Sequence, residues 1–66
     1  MIVRVNGDEK EVIEGITLEG LLNLLEIKLQ GIAIDINREI VPKRLYKDTV
    51  LKSGDSIEIV RMVGGG

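Results

Sequence analysis

Polar and apolar residues alternate from the first positions onward. Val3 and Val5 interleave with Ile2, Arg4 and Asn6, the period-two pattern of a strand with one covered face. Asn6-Gly7 followed by Asp8 is a hairpin signal, because both turn residues tolerate positive φ. Strand, turn, strand is therefore predicted over 1–13, and Glu14-Gly15 breaks the pattern. Thr17 then stands where an N-cap hydroxyl accepts a backbone N–H, and Glu19 in the first turn suits the helix dipole. Leu18, Leu21, Leu22, Leu25 and Leu29 follow helical spacing, so one helix lays an apolar stripe against a sheet. Gly20 in its first turn costs up to roughly 1 kcal/mol relative to Ala.

Alternation resumes after Gly31. Ile32, Ile34 and Ile36 interleave with Ala33 and Asp35 in a third strand, and Asn37-Arg38 turns into a short fourth, Glu39-Ile40-Val41. Pro42 ends that strand by removing a ladder N–H, which suits an edge position. The stretch 43–50 reads as irregular, with one turn of 3₁₀ helix around Leu45 and Tyr46. Lys52-Ser53-Gly54-Asp55 is a turn before the final strand, Ser56 to Arg61, in which Ile57 and Ile59 face the helix while Glu58 and Val60 face outward.

Composition narrows the chemistry. With 66 residues there is room for one small domain. Cys and His are both absent, which removes disulfides, zinc-thiolate sites, thiol nucleophiles and the commonest general base and metal ligand. Carboxylates, amines and Tyr46 are the side-chain candidates left for catalysis; Tyr46 with the nearby Lys43, Lys47 or Asp48 is one such combination, and no further signal marks a pocket there. Neither a metal site nor a self-sufficient enzyme is expected. Nine basic residues against eleven acidic, with signs interspersed and a single aromatic, disfavour nucleic acid. The apolar runs are too short to span a membrane, so a soluble cytoplasmic protein is expected.

The remaining candidate group is the chain's own end. Gly64-Gly65-Gly66 directly follows the apolar run Ile57 to Val63. Glycine lacks a Cβ, so such a thread passes through slots too narrow for other residues and presents the Gly66 carboxylate at its tip. A frayed terminus or an expression remnant has the same appearance, and the rest of the chain must decide between them. From Met62 to Gly66 an extended tail reaches about 17 Å at roughly 3.3–3.6 Å per residue. The expected division is a folded domain over 1–61 and a flexible tail over 62–66. Val60, Met62 and Val63 form a candidate apolar anchor for a partner, with the alternative that they are ordinary strand-end residues. Arg4, Arg61, Lys43 and Arg44 either meet acidic partner residues or are simply solvated.

The order ββαββ, 3₁₀ turn, β is that of the β-grasp fold: an α+β, ubiquitin-like domain whose mixed sheet of four to five strands packs on one helix. The chain resembles the thiamine-biosynthesis sulfur carrier proteins over essentially its whole length. The resemblance is carried by Val5-Asn6-Gly7, by Thr17-Leu18-Glu19-Gly20-Leu21-Leu22, by Asn37-Arg38-Glu39-Ile40-Val41-Pro42-Lys43, and by Leu51 to Val60 leading to Val63-Gly64-Gly65-Gly66. Members of the family often have Gly where this chain has Arg38. The resemblance implies that an ATP-using, E1-like activating enzyme adenylates Gly66. Sulfur from a persulfide donor, such as a cysteine desulfurase, then converts Gly66 to a thiocarboxylate, and a thiazole synthase consumes it. Gly64 and Gly65 would thread the tail into both enzymes. It also implies no bound cofactor, since ATP belongs to the activating enzyme. Other readings are a carrier for another pathway, such as the small subunit of molybdopterin synthase, a ubiquitin-like protein modifier, or a binding module with an incidental tail.

Overall fold

The computed structural model describes residues 1–62. The elements follow the predicted order: β1 (Ile2–Val5), β2 (Asp8–Glu11), α1 (Leu18–Leu24), β3 (Ile32–Ile36), β4 (Glu39–Ile40), a 3₁₀ turn at Lys43–Leu45, and β5 (Ser56–Arg61). They form one five-stranded mixed sheet in the order β2-β1-β5-β3-β4. β1 and β5 run parallel at its centre, and the other neighbours are antiparallel. The fold is thus the expected β-grasp arrangement, with β4 at an edge.

Both hairpins turn on asparagine. Asn6 and Gly7 have φ of 50° and 88°, and Asn37 and Arg38 have φ of 53° and 71°. Two successive positive φ values are the signature of the type I′ turn, whose twist matches that of the flanking strands. Arg38 holds this conformation despite its Cβ, a strain that glycine would not carry.

The N-terminus of α1 is completely satisfied. Leu18 and Glu19 donate their N–H groups to Thr49 and Tyr46 carbonyls at 2.8 and 3.1 Å, Gly20 donates to Thr17 Oγ1 at 3.0 Å, and Leu21 donates to the Thr17 carbonyl at 2.9 Å. Thr17 is therefore the N-cap, as its position predicts. Gly20 is accounted for by packing: a Cβ there would lie 3.1 Å from Ile16 Cγ1 and 3.3 Å from Thr17 Oγ1.

The helix is shorter than its leucine stripe suggests. It closes with a Schellman motif, in which Ile27 donates to the Leu22 carbonyl at 2.9 Å and Glu26 to Asn23 at 3.1 Å. Glu26 occupies the left-handed position at φ 58°. Leu29 consequently lies beyond the helix and packs against the core from the following loop.

Leu18, Leu21 and Leu22 are fully buried with Val3, Ile34 and Ile57, and Val5, Val12, Tyr46 and Leu51 complete the core. Each of the large aliphatic side chains contributes about 1.5–3 kcal/mol by leaving water. Ile57 and Ile59 point toward the helix layer, while Glu58 and Val60 are exposed, which is the facing predicted for β5.

Candidate functional site

β5 is the last strand of the sheet and precedes the glycines in the chain. Ile57 is anchored in the core at 0 % exposure, with β1 on one side and β3 on the other. The β3 ladder runs from Ile36 opposite Ile57 to Ile32 opposite Arg61. It is prolonged by the Met62 N–H, which donates to the Gly31 carbonyl at 2.7 Å. Met62, assigned to the tail from the sequence, is thus still tied to the sheet by its backbone. Val63 and Gly64, Gly65 and Gly66 lie outside the described residues.

Val60 and Met62 are 57 % and 61 % exposed. Val60 stands opposite Ala33, and Glu58, two residues earlier on the same face, stands opposite Asp35. Asp35 in turn pairs with Ile40 of β4, which is 78 % exposed. The face of the sheet turned away from the helix therefore carries Ala33, Val60 and Ile40 beside the carboxylates of Asp35 and Glu58, with Met62 at the tail end of β5. Asp35 Oδ1 is closed off from water without a hydrogen-bond partner. Ile40 and Asp35 were not singled out as partner contacts in the sequence. A two-residue strand has too little alternation to reveal a facing, and Asp35 becomes notable only once its neighbours across the sheet are known.

The basic candidates are dispersed. Arg4 lies 3.4 Å from Glu9, an exposed pair of small energetic weight. Arg61 ends β5 beside Glu26, Lys28 and Ile32 in a shallow depression, whereas Lys43 and Arg44 belong to the 3₁₀ turn. No group of metal-ligating side chains occurs among the described residues. Tyr46 is part of the core at 3 % exposure, and burial pushes its phenol above the ordinary tyrosine range, so it is protonated at neutral pH. That places it in packing, not in a cleft with Lys43, Lys47 and Asp48. No described helix is long and apolar enough to cross a membrane.

Comparison with known proteins gives this geometry a family. The model of the ThiS family matches residues 3–66. The chain belongs to the ThiS family. The sulfur carrier protein ThiS of Thermus thermophilus is 32 % identical over 65 residues, covering 98 % of this chain and 100 % of that one. The crystal structure of the thiamine biosynthesis protein ThiS from Geobacter metallireducens superimposes with a TM-score of 0.88 at 28 % identity, covering 100 % of both chains. A thiazole synthase of Paramagnetospirillum magneticum is 39 % identical over 62 residues, which span 94 % of this chain but 19 % of that protein. This ThiS-family chain is a sulfur carrier of thiamine biosynthesis on a ubiquitin-like β-grasp fold.

Proposed function

We propose that the Gly66 carboxyl is the group on which this ThiS-family chain carries sulfur, and that the outer sheet face around Val60 and Met62 is what its partner enzymes grip. A C-terminal carboxyl has a pKa near 3.3–3.7 and is ionised at neutral pH, so it is a poor acyl donor until activated. In this reading one carboxylate oxygen attacks the α-phosphorus of ATP bound by an E1-like activating enzyme. Pyrophosphate leaves, and the glycyl-adenylate remains. The terminal sulfur of a persulfide donor attacks the acyl carbon and expels AMP, and a thiol then cleaves the S–S bond and leaves the thiocarboxylate. That sulfur passes to the thiazole ring at a thiazole synthase.

Apart from the Gly66 carboxyl, the chain's own residues supply position. Gly64 and Gly65 let the thread enter a narrow channel, while the body stays outside and is held by its surface. The observation that carries this division is the exposure of Val60, in register opposite Ala33 on β5, and of Met62 just beyond that strand, on the path to the tail. Val60 and Ala33 lie beside the row Glu58, Asp35 and Ile40, a face that suits an enzyme surface with an apolar part for Val60, Ala33 and Ile40 and basic groups for the carboxylates between them. The thiazole synthase of Paramagnetospirillum magneticum, with a segment like this chain within its own length, supports such a synthase as the consuming partner.

The test is ATP–pyrophosphate exchange by an activating enzyme in the presence of this chain. Exchange that depends on the chain and is lost on deleting Gly65 and Gly66 supports the reading. Exchange that survives the deletion refutes it.

A further inference from the structure

The parallel ladder between β1 and β5 is finished by a side chain. Arg4 donates its N–H to the Asp55 carbonyl at 2.8 Å, and Asn6 donates its own to Ile57 at 2.9 Å. In an uninterrupted parallel ladder the next two bonds would fall on the N–H and the carbonyl of Ile59. The main chain cannot make them, because Asn6 at φ 50° already turns away toward β2. Its carboxamide makes them instead. The Ile59 N–H donates to Asn6 Oδ1 at 2.8 Å, and Asn6 Nδ2 donates to the Ile59 carbonyl at 3.3 Å. A primary amide offers the same donor and acceptor as a peptide unit, so it stands in for the residue that β1 lacks.

From Val60 onward the described hydrogen bonds of β5 come from the β3 side, ending with the Met62 N–H on Gly31. Among the described residues, the Asn6 latch is therefore the last tie on the other side of β5. We infer that Asn6 is a positioning residue: its carboxamide clamps Ile59 and thereby fixes the point and direction from which the tail leaves the body. Without it the end of β5 is held along one edge only. The tail then starts from a spread of orientations, of which an enzyme that grips Val60 and Met62 accepts a fraction. The inference deepens the proposed function and rests on it for its enzymatic consequence.

The same strand carries a matched control. Asn37, at φ 53° in the other type I′ turn, donates its N–H to the Ser56 carbonyl at 2.8 Å, accepts from the Ser56 N–H at 3.0 Å through Oδ1, and donates to Asp55 Oδ1 at 3.0 Å. Asn6→Gly and Asn37→Gly thus remove two side-chain hydrogen bonds each, both at a turn position that glycine accepts. One acts at the tail end of β5 and the other at its start.

Two readouts on the full chain separate positioning from general support. In amide hydrogen exchange, Asn6→Gly is expected to speed exchange at Ile59 and Met62 about tenfold beyond any global change. Asn37→Gly should speed Ser56 and leave Met62 at the wild-type rate. In adenylation by the activating enzyme, Asn6→Gly should raise KM for the carrier about fivefold with kcat unchanged, the factor set by the net worth of one hydrogen bond acting on the competent fraction. Asn37→Gly should stay within about twofold. Equal Met62 exchange in Asn6→Gly and wild type overturns the inference, as does an equal KM in the two variants. A wild-type chain that is not adenylated at all indicts the proposed function instead, and the exchange result then decides on the latch by itself.

Discussion

Val60→Asp tests whether the outer sheet face is a docking surface. Val60 is 57 % exposed, so more than half of its side chain is available to be covered by a partner. Covering that remainder contributes about 1 kcal/mol, from the 1.5–3 kcal/mol of a fully buried aliphatic side chain. Aspartate forfeits this term and leaves water beside Glu58 and Asp35, which adds about 1–3 kcal/mol for a polar group buried without a partner. The sum, about 2–4 kcal/mol, corresponds to a roughly 30- to 900-fold rise in KM for an activating enzyme. The fold loses much less. Aspartate in an exposed strand position costs about 1 kcal/mol, which lowers Tm by about 4–8 °C in a chain of this size. The assay is ATP–pyrophosphate exchange against carrier concentration, beside a thermal melt followed by circular dichroism. A folded Val60→Asp chain with the wild-type KM would refute the assignment of this face.

Ile57→Ala is the complementary perturbation. The side chain is fully buried behind the same strand, so stability should fall by about 2–5 kcal/mol in urea melts, and the fraction still folded should keep the wild-type KM. Arg38→Gly and Glu26→Gly each relieve a side chain from the left-handed region, at φ 71° and 58°. Relief of about 1–2 kcal/mol against about 0.5–1 kcal/mol of extra chain entropy leaves a net gain of about 0–1.5 kcal/mol, and a fall in the urea midpoint would show the reasoning wrong. Tyr46 has its pKa raised by burial, so the folded state favours the protonated phenol. Its contribution to stability is complete below the ordinary tyrosine value near 10 and is lost as pH rises through the folded pKa. Absorbance titration of this sole tyrosine should give a midpoint above 10 in the native chain; a midpoint at or below 10 contradicts the assignment. Gly65→Val should leave Tm unchanged and abolish adenylation, since a branched Cβ then sits in the thread; an adenylated Gly65→Val chain counts against a narrow channel.

Most of the fold is legible in short-range signals. Asn6-Gly7 marked a hairpin because few dipeptides accept two positive φ values. Thr17 marked a helix start because its hydroxyl has one obvious donor to satisfy, and the isoleucine alternation of β3 and β5 assigned their inner faces. The end of the helix was illegible, because glutamate at position 26 occupies a site where glycine is the usual marker and the leucine spacing runs on past it. The burial of Tyr46 is not legible either: flanked by Lys43, Arg44, Lys47 and Asp48 it belongs to no apolar periodicity, and only the 3₁₀ turn brings it into the core. Long-range relations were out of reach altogether. Asn6 and Ile59 are 53 residues apart, and nothing local to either announces that a carboxamide completes a ladder. The same holds for Asp35 between Glu58 and Ile40, where only strand order and register create the juxtaposition. The exposure of Val60 and Met62 is legible in sequence because alternation along one strand suffices to turn them outward.

The most direct test of the account is the intact mass of the chain after incubation with ATP, an activating enzyme and a persulfide sulfur source, with fragmentation to locate any change. A gain equal to the exchange of one oxygen for sulfur, confined to Gly66, is the predicted result. An unchanged mass, beside an activating enzyme that thiolates another ThiS-family carrier in the same mixture, would contradict it.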